Sequence, residues 1–230
     1  MTLKTRLRRT DPTGAEPQPP MTLPDGHWIG FDYPGRIAPL TRRELRPWHR
    51  LFLAGIRLGA KDTYDYTCFL VTVRLGRVFP LHTLFFSQLL QHGRIPQADS
   101  ERIVIRVAWR MGCQYEFAHH TGMALELGVP RSEIETLTHE DDDGWSDRTR
   151  ALMTAADELV ATKNLSPLTF ERLRCELDQN QILEFSMLVG HYVMAGDDAR
   201  RRGCPDRAGL RARRPRLGRR RPRDAPMMAV

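Results

Sequence analysis

From Ala98 to Pro130 the chain reads ADSERIVIRVAWRMGCQYEFAHHTGMALELGVP, with apolar residues at helical spacing on both sides of Gly112. Ile103, Val107 and Arg110 keep the helical period, Asp99 or Ser100 is placed to cap the start, and Gly128 with Pro130 closes the run. A helical pattern split by a glycine is either one long helix or two halves folded back on each other. The choice matters, because Cys113, Glu116 and His120 follow the glycine while Glu101 precedes it.

The rest of the chain repeats the helical signal. Pro47 stands at the first turn of RPWHRLFLAGIRLG, after a Gly/Pro-punctuated lead-in (25–45) with a short helical pattern at Thr41–Leu45. DTYDYTCFLVTVRLGRVF is β-branched enough to allow a strand, although helix is the expectation. In PLHTLFFSQLLQHGRIP, the residues Leu81, Leu84, Phe85, Gln88, Leu89 and His92 line one helical stripe. Ser132 is a candidate cap for RSEIETLTH, and the acidic loop HEDDDGW leads into SDRTRALMTAADELVATKN. Ser166 and Pro167 open SPLTFERLRCELD as cap and first helical residue, and NQILEFSMLVGHYVMAG is the last apolar helix. The expectation is an all-α single domain over 25–196, flanked by a disordered arm at 1–24 and an Arg/Pro-rich disordered tail at 197–230.

The net charge of +7 belongs to the ends. Twelve Arg against Asp206 and Asp224 place about +10 in residues 199–230, and Lys4, Arg6, Arg8 and Arg9 add +4 in residues 1–10. Taking both from +7 leaves the body near −7. The high isoelectric point therefore says little about what the folded part binds. Cys68, Cys113, Cys175 and Cys204 contain no C-x-x-C pair, against both a small disulfide scaffold and a four-thiolate zinc site. No apolar run is long enough to span a membrane and no secretory signal is evident, so a cytoplasmic protein without membrane partners is expected.

Cys113, Glu116 and His120 stand at i, i+3 and i+7 and share a helix face; Tyr115 and His119 form a separate i, i+4 pair, set aside as packing or interface groups. A cysteine in a first helical turn feels the positive end of the dipole, which favours its thiolate. Glu116 and His120 beside it could relay a proton. Glu101 lies twelve residues before Cys113. On one unbroken helix that is about 1200°, a third of a turn off-face. Glu101 therefore joins the site only if the chain breaks near Gly112 and the halves pack side by side. The rival reading is plain: a cysteine after a glycine is more often a small buried hydrophobe, and neighbouring histidines are commonly surface groups. Glu116 and His120 could also be two metal ligands with a third from His82, His92 or His191, a weaker alternative; no metal and no cofactor are expected.

The run SERIVIRVAWRMGCQYEFAHHTGMALELGVP resembles the central helical pair of the carboxymuconolactone decarboxylase family, which includes alkylhydroperoxidase D. That family's frame is a Glu, a Cys twelve residues later and a His seven beyond it, which Glu101, Cys113 and His120 fit. RIAPLTRREL, HTLFFSQLLQHGRIPQADSERIVIRVAW and GHYVM extend the resemblance over roughly residues 36–195. It implies an alkylhydroperoxidase D-like helical domain, a homo-oligomer, and a small-molecule substrate: a hydroperoxide, or a small carboxylic acid or lactone. Peroxidatic members carry C-x-x-C-x-x-x-H, and here Glu116 stands at the second cysteine. A Cys113 sulfenic acid would need an external thiol reductant, or Cys68 or Cys175. The expectation is a cysteine-dependent peroxidase or reductase with Cys113 as nucleophile, Glu116 and His120 as relay, Glu101 as orienting or general-base partner, and His191 in a supporting role. The alternatives are a decarboxylase or isomerase using Glu/His acid–base chemistry, and a non-catalytic oligomer with a basic nucleic-acid-binding tail.

Nucleic acid is the less favoured partner, because the tail lacks aromatics for base stacking. The resemblance implies an apolar helix end after GHYVM. DDARRRGCP, written GAT GAC GCT CGC CGC CGC GGG TGT CCC and read one base later, becomes Met-Thr-Leu-Ala-Ala-Ala-Gly-Val-Pro, an apolar helix end with a glycine cap. The tail is thus expected to be a frameshift product, which resequencing the gene tests.

Overall fold

A computed structural model describes Trp28 and residues 37–59, 67–139 and 144–202. Every regular element among them is helical: α1 (Pro47–Gly59), α2 (Thr67–Thr72) running into a 3₁₀ turn at Val73–Leu75, α3 (Val78–Gln91), α4 (Gln97–Arg110), α5 (Gln114–Glu126), α6 (Arg131–Thr136), α7 (Asp147–Thr162), α8 (Pro167–Glu176) and α9 (Gln179–Arg202). The all-α expectation holds, and Cys68 to Thr72 is helix rather than strand. α9 runs on past residue 196 to Arg202, so the boundary placed there falls inside a helix. The arm at 1–24 and the rest of the tail, with its frameshift reading, lie outside the described residues. None of the described helices is long and apolar enough to cross a membrane.

Local chemistry explains the starts of α7 and α8. Ser146 caps α7 by accepting from the Thr149 N–H, and Ser166 caps α8 by accepting from the Thr169 N–H, with Pro167 next in line. Three expected starts differ. α4 begins at Gln97 behind Pro96, so Asp99 does not cap it; that carboxylate instead pairs with Arg102 at 3.0 Å and with Arg148 of α7 at 2.9 Å. α6 follows Pro130, which leaves Ser132 inside the helix. Thr41–Leu45 forms a turn, closed by Glu44 accepting from the Thr41 N–H and hydroxyl, not a helix. In all three the competing partner is a proline-fixed backbone or a carboxylate that the pattern does not reveal.

α4 is the central helix, packed against α3, α5, α7 and α9. From Ser100 to Trp109 only Arg102 escapes burial. Trp28 lies on this core edge-on to Trp109 and tilted against Phe117. Inside the core Arg106 is 1% exposed. It donates Nε and Nη2 to Asp157 at 2.8 and 2.7 Å and Nη1 to the carbonyls of Leu137 and His139 at 2.6 and 2.7 Å, and its guanidinium lies 5.2 Å from the Trp145 ring centroid. Burial alone raises the Asp157 carboxyl, but the hydrogen bonds and charges of Arg110 and Arg106 outweigh it and hold the group below its ordinary value. This fork ties α4 to α7 and to the end of α6.

The stripe expected on α3 corrects in an informative way. Of its members only Leu89 is buried, while Leu81, Leu84 and Phe85 are 68%, 59% and 43% exposed. The inward side is Phe79, Thr83, Leu89 and Leu90. α3 is apolar around most of its circumference, so periodicity alone cannot select the face that turns inward.

Candidate active site

The glycine settles the question posed by the split helix. α4 ends at Arg110, Gly112 takes φ +60°, and α5 starts at Gln114. The Cys113 N–H donates to Ala108 O at 2.8 Å and the Gly112 N–H to Trp109 O at 2.9 Å, a Schellman closure with the glycine in its left-handed position. The same closure, with Gly128 at φ +83°, ends α5. Cys113 thereby finishes one helix and serves as N-cap of the next. The two helices pack side by side, which brings Glu101 back to the residues beyond the break.

His120 sits between two carboxylates. Its Nδ1 is 2.7 Å from Glu101 Oε2, and its Nε2 is 3.4 Å from Glu116 Oε2. Glu101 is fully buried and His120 is 2% exposed. Burial opposes charge on the imidazole, but the two carboxylates more than offset it and push its pKa up to about 9. With that pKa His120 is an imidazolium at neutral pH, hydrogen-bonded to Glu101 and ion-paired with Glu116. Glu101 Oε1 is buried with no hydrogen-bond partner among the described residues. The Tyr192 ring stands edge-on to His120, centroids 4.9 Å apart.

Cys113 is fully buried in a small cluster with Tyr115, against which Cys68 and Met111 pack. Cys68 comes from α2, and neither cysteine is in a disulfide. Tyr115, set aside from the sequence as a packing group, is part of this cluster and stacks on His119 at 6.1 Å with parallel rings. The structure therefore draws Glu101, Glu116 and His120 into one bonded group and buries Cys113 at the head of the same helix. His191 is a layer removed: its ring lies parallel to Phe86 and 5.1 Å from His82, and Tyr192 stands between it and His120 in the order of ring contacts. Burial first, then the His82 and His120 charges, lowers the His191 pKa to about 4.

His82 and His191 neighbour each other, whereas His92 caps the end of α3. Among the described residues no three His, Cys, Asp or Glu side chains are grouped as a metal site. Sequence reasoning missed Tyr192, although its neighbour His191 was singled out, and it had no signal for the position of Cys68.

Residues 81–158 match the carboxymuconolactone decarboxylase family. The match encloses the Glu101–Cys113–His120 frame on which the resemblance rested. Solved structures extend the likeness beyond the family segment. The debrominase Bmp8, known in complex with 2,3,4-tribromopyrrole, superposes with a TM-score of 0.64 at 15% identity, covering 76% of this chain and 94% of its own. An uncharacterized peroxidase-related protein from Silicibacter sp. TM1040 gives 0.65 at 15% identity, covering 76% and 93%. A protein from Agrobacterium tumefaciens described as a putative antioxidant defence protein AhpD gives 0.54 at 15%, covering 64% and 98%. At such identities these neighbours establish the shared fold. No curated protein matches the sequence.

Proposed function

We propose that this protein, whose residues 81–158 match the carboxymuconolactone decarboxylase family, is a cysteine-dependent peroxidase that reduces a small hydroperoxide, with Cys113 as nucleophile. The observation that carries the reading is the Glu101–His120–Glu116 array, of which Glu116 and His120 lie on the very helix that Cys113 caps. At the N-cap position the helix end favours an anion on sulfur. Glu116, three residues on, accepts the thiol proton, and His120 holds that carboxylate in place from the other side. The thiolate attacks one peroxide oxygen, the O–O bond breaks, and the departing alkoxide takes the proton back through Glu116. The products are a Cys113 sulfenic acid and an alcohol. Glu101 orients the imidazolium and keeps it charged through the cycle. Because Cys113 is buried, the substrate is small and must displace Cys68 or Met111 to reach it.

The test is a hydroperoxide assay with sulfenic-acid trapping, run beside Cys113→Ala. Trapping at Cys113, and loss of both adduct and turnover in the variant, is the expected outcome. No adduct with equal turnover in the two proteins overturns the reading.

A second reading stands on a specific observation: the relay of His120 and two carboxylates is complete without sulfur. A decarboxylase or isomerase acting on a small acid or lactone fits it, and such an enzyme tolerates Cys113→Ser but not His120→Ala. For either reading we place the protein in a homo-oligomer. The exposed Leu81, Leu84 and Phe85 of α3, with Leu183, Met187 and Met194 of α9 packed beside it, support this. Light scattering in solution checks it, and a monomer at micromolar concentration refutes it.

A further inference from the structure

The proposed peroxidase leaves a sulfenic acid where the family's dithiol members have a second sulfur three residues away. Here that position is Glu116, already engaged with His120. A buried sulfenic acid without a resolving thiol advances to sulfinic acid on further oxidation, so the chain needs a sulfur from elsewhere.

Three other cysteines exist, and the structure separates them. Cys204 lies outside the described residues. Cys175 is exposed near the end of α8, where its thiol is 3.4 Å from Glu171 O and it lines a surface groove with Asp147, Arg150 and Arg172. Cys68 alone among the described cysteines belongs to the Cys113 cluster. It is part-buried on α2, and the Thr72 hydroxyl donates to its carbonyl at 2.9 Å. The 3₁₀ turn and α3 follow directly. The helix is also tied to the lead-in by the Leu40 N–H donating to Leu70 O at 2.9 Å.

We infer that Cys68 is the resolving thiol of Cys113, a dithiol pair assembled across α2 and the α4–α5 junction in place of the C-x-x-C pair. The inference rests on the peroxidase reading. The Cys68 sulfur attacks the sulfenic sulfur of Cys113, an S–S bond forms as the S–O bond breaks, and the hydroxyl leaves as water with the Cys68 proton. A small dithiol or a dithiol protein then returns two electrons and two protons, leaving both cysteines as thiols and the reductant as a disulfide. Cys68 thus has two tasks: it packs on the Cys113–Tyr115 cluster in the reduced state and bonds to Cys113 in the oxidised one.

The experiment uses the full chain in two arms, each read by peptide mass spectrometry after alkylation of remaining thiols. In the first, diamide oxidises thiols without any peroxide chemistry, and a Cys68–Cys113 crosslink is expected in the wild type and in Cys175→Ser. Its absence overturns the pairing whatever the enzyme does. In the second, one equivalent of hydrogen peroxide is added to wild type and Cys68→Ser, both verified as folded by circular dichroism. The wild type is expected to form the crosslink. Cys68→Ser is expected to accumulate sulfenic acid at Cys113, and sulfinic acid when a second equivalent is added, to keep its first turnover, and to lose about tenfold or more in steady-state turnover with dithiothreitol. Sulfenic acid that persists in the wild type without a crosslink, or equal steady-state rates in the two proteins, overturns the role of Cys68 and leaves the peroxidase reading intact. If Cys113 is oxidised in neither protein, the peroxidase reading fails, and the resolving role of Cys68 falls with it.

Discussion

Two buried charged groups leave α4 toward different sides of the molecule. Glu101 and Arg106 are five residues apart on one helix, about 140° around its axis. Arg106 makes four hydrogen bonds, two to Asp157 and one each to Leu137 O and His139 O, and lies by the ring of Trp145. Glu101 makes one bond, to His120, and leaves its second oxygen buried without a partner among the described residues. A guanidinium cannot shed its proton at ordinary pH, so a saturated arginine acts as a fixed tie between helices. A carboxylate–imidazole pair can move a proton, and an incompletely satisfied pair has capacity left for a reacting group. The same helix holds a structural cluster on one side and a titratable one on the other.

Substitutions separate the two. Arg106→Ala leaves the half-buried Asp157 with Arg110 as its remaining cation, frees two backbone carbonyls and opens a cavity where a fully buried side chain stood. The expected loss is about 3–5 kcal/mol in urea unfolding, with little change in how stability depends on pH between 6.5 and 9. His120→Ala is expected to lower hydroperoxide turnover by about 10²–10⁴-fold while the protein stays folded. An Arg106→Ala protein as stable as the wild type, or a His120→Ala protein at full turnover, breaks the contrast.

Stability against pH sharpens it further. His120 has its pKa raised to about 9, so its contribution is complete below the ordinary imidazole value and drains away as pH rises through 9. His191 is lowered to about 4, so its contribution is complete above the ordinary value and drains away as pH falls toward 4. Unfolding midpoints are therefore expected to peak near the ordinary histidine pKa. Glu101→Gln should flatten the alkaline limb and bring the His120 pKa down in an NMR titration, while leaving the acid limb in place. A His120 titration unmoved by Glu101→Gln would remove Glu101 from the proposed relay. Ser166→Ala touches neither cluster and sets the smallest scale, about 1 kcal/mol in the same urea assay for a lost helix cap.

The legible parts of the molecule were those written in local chemistry. Gly112 marked the break, Gly128 and Pro130 the end of α5, and Ser166-Pro167 the start of α8. Each is a residue whose backbone preference or side-chain reach acts within a few positions. The carboxylate–histidine cluster was legible in part, since Glu116 and His120 share a helix face by spacing alone. Glu101 depended on whether the chain doubled back, and the glycine made that possible without requiring it. What misled were features whose outcome is decided by a distant partner. Asp99 looked like a cap and became a bridge to Arg148, and the apolar α3 hid which of its sides turned inward.

The sequence by itself determined where α4 and α5 stop and which reactive residues share a face, because those follow from φ, spacing and capping. Only the tertiary structure decided that Arg106 is buried against Asp157, fifty-one positions away, and that Cys68 comes to rest on the cluster of Cys113. A charge or a thiol carries no mark of its partner in the chain. Its role is set by which helices close around it, and that is fixed by the packing of the whole core around α4.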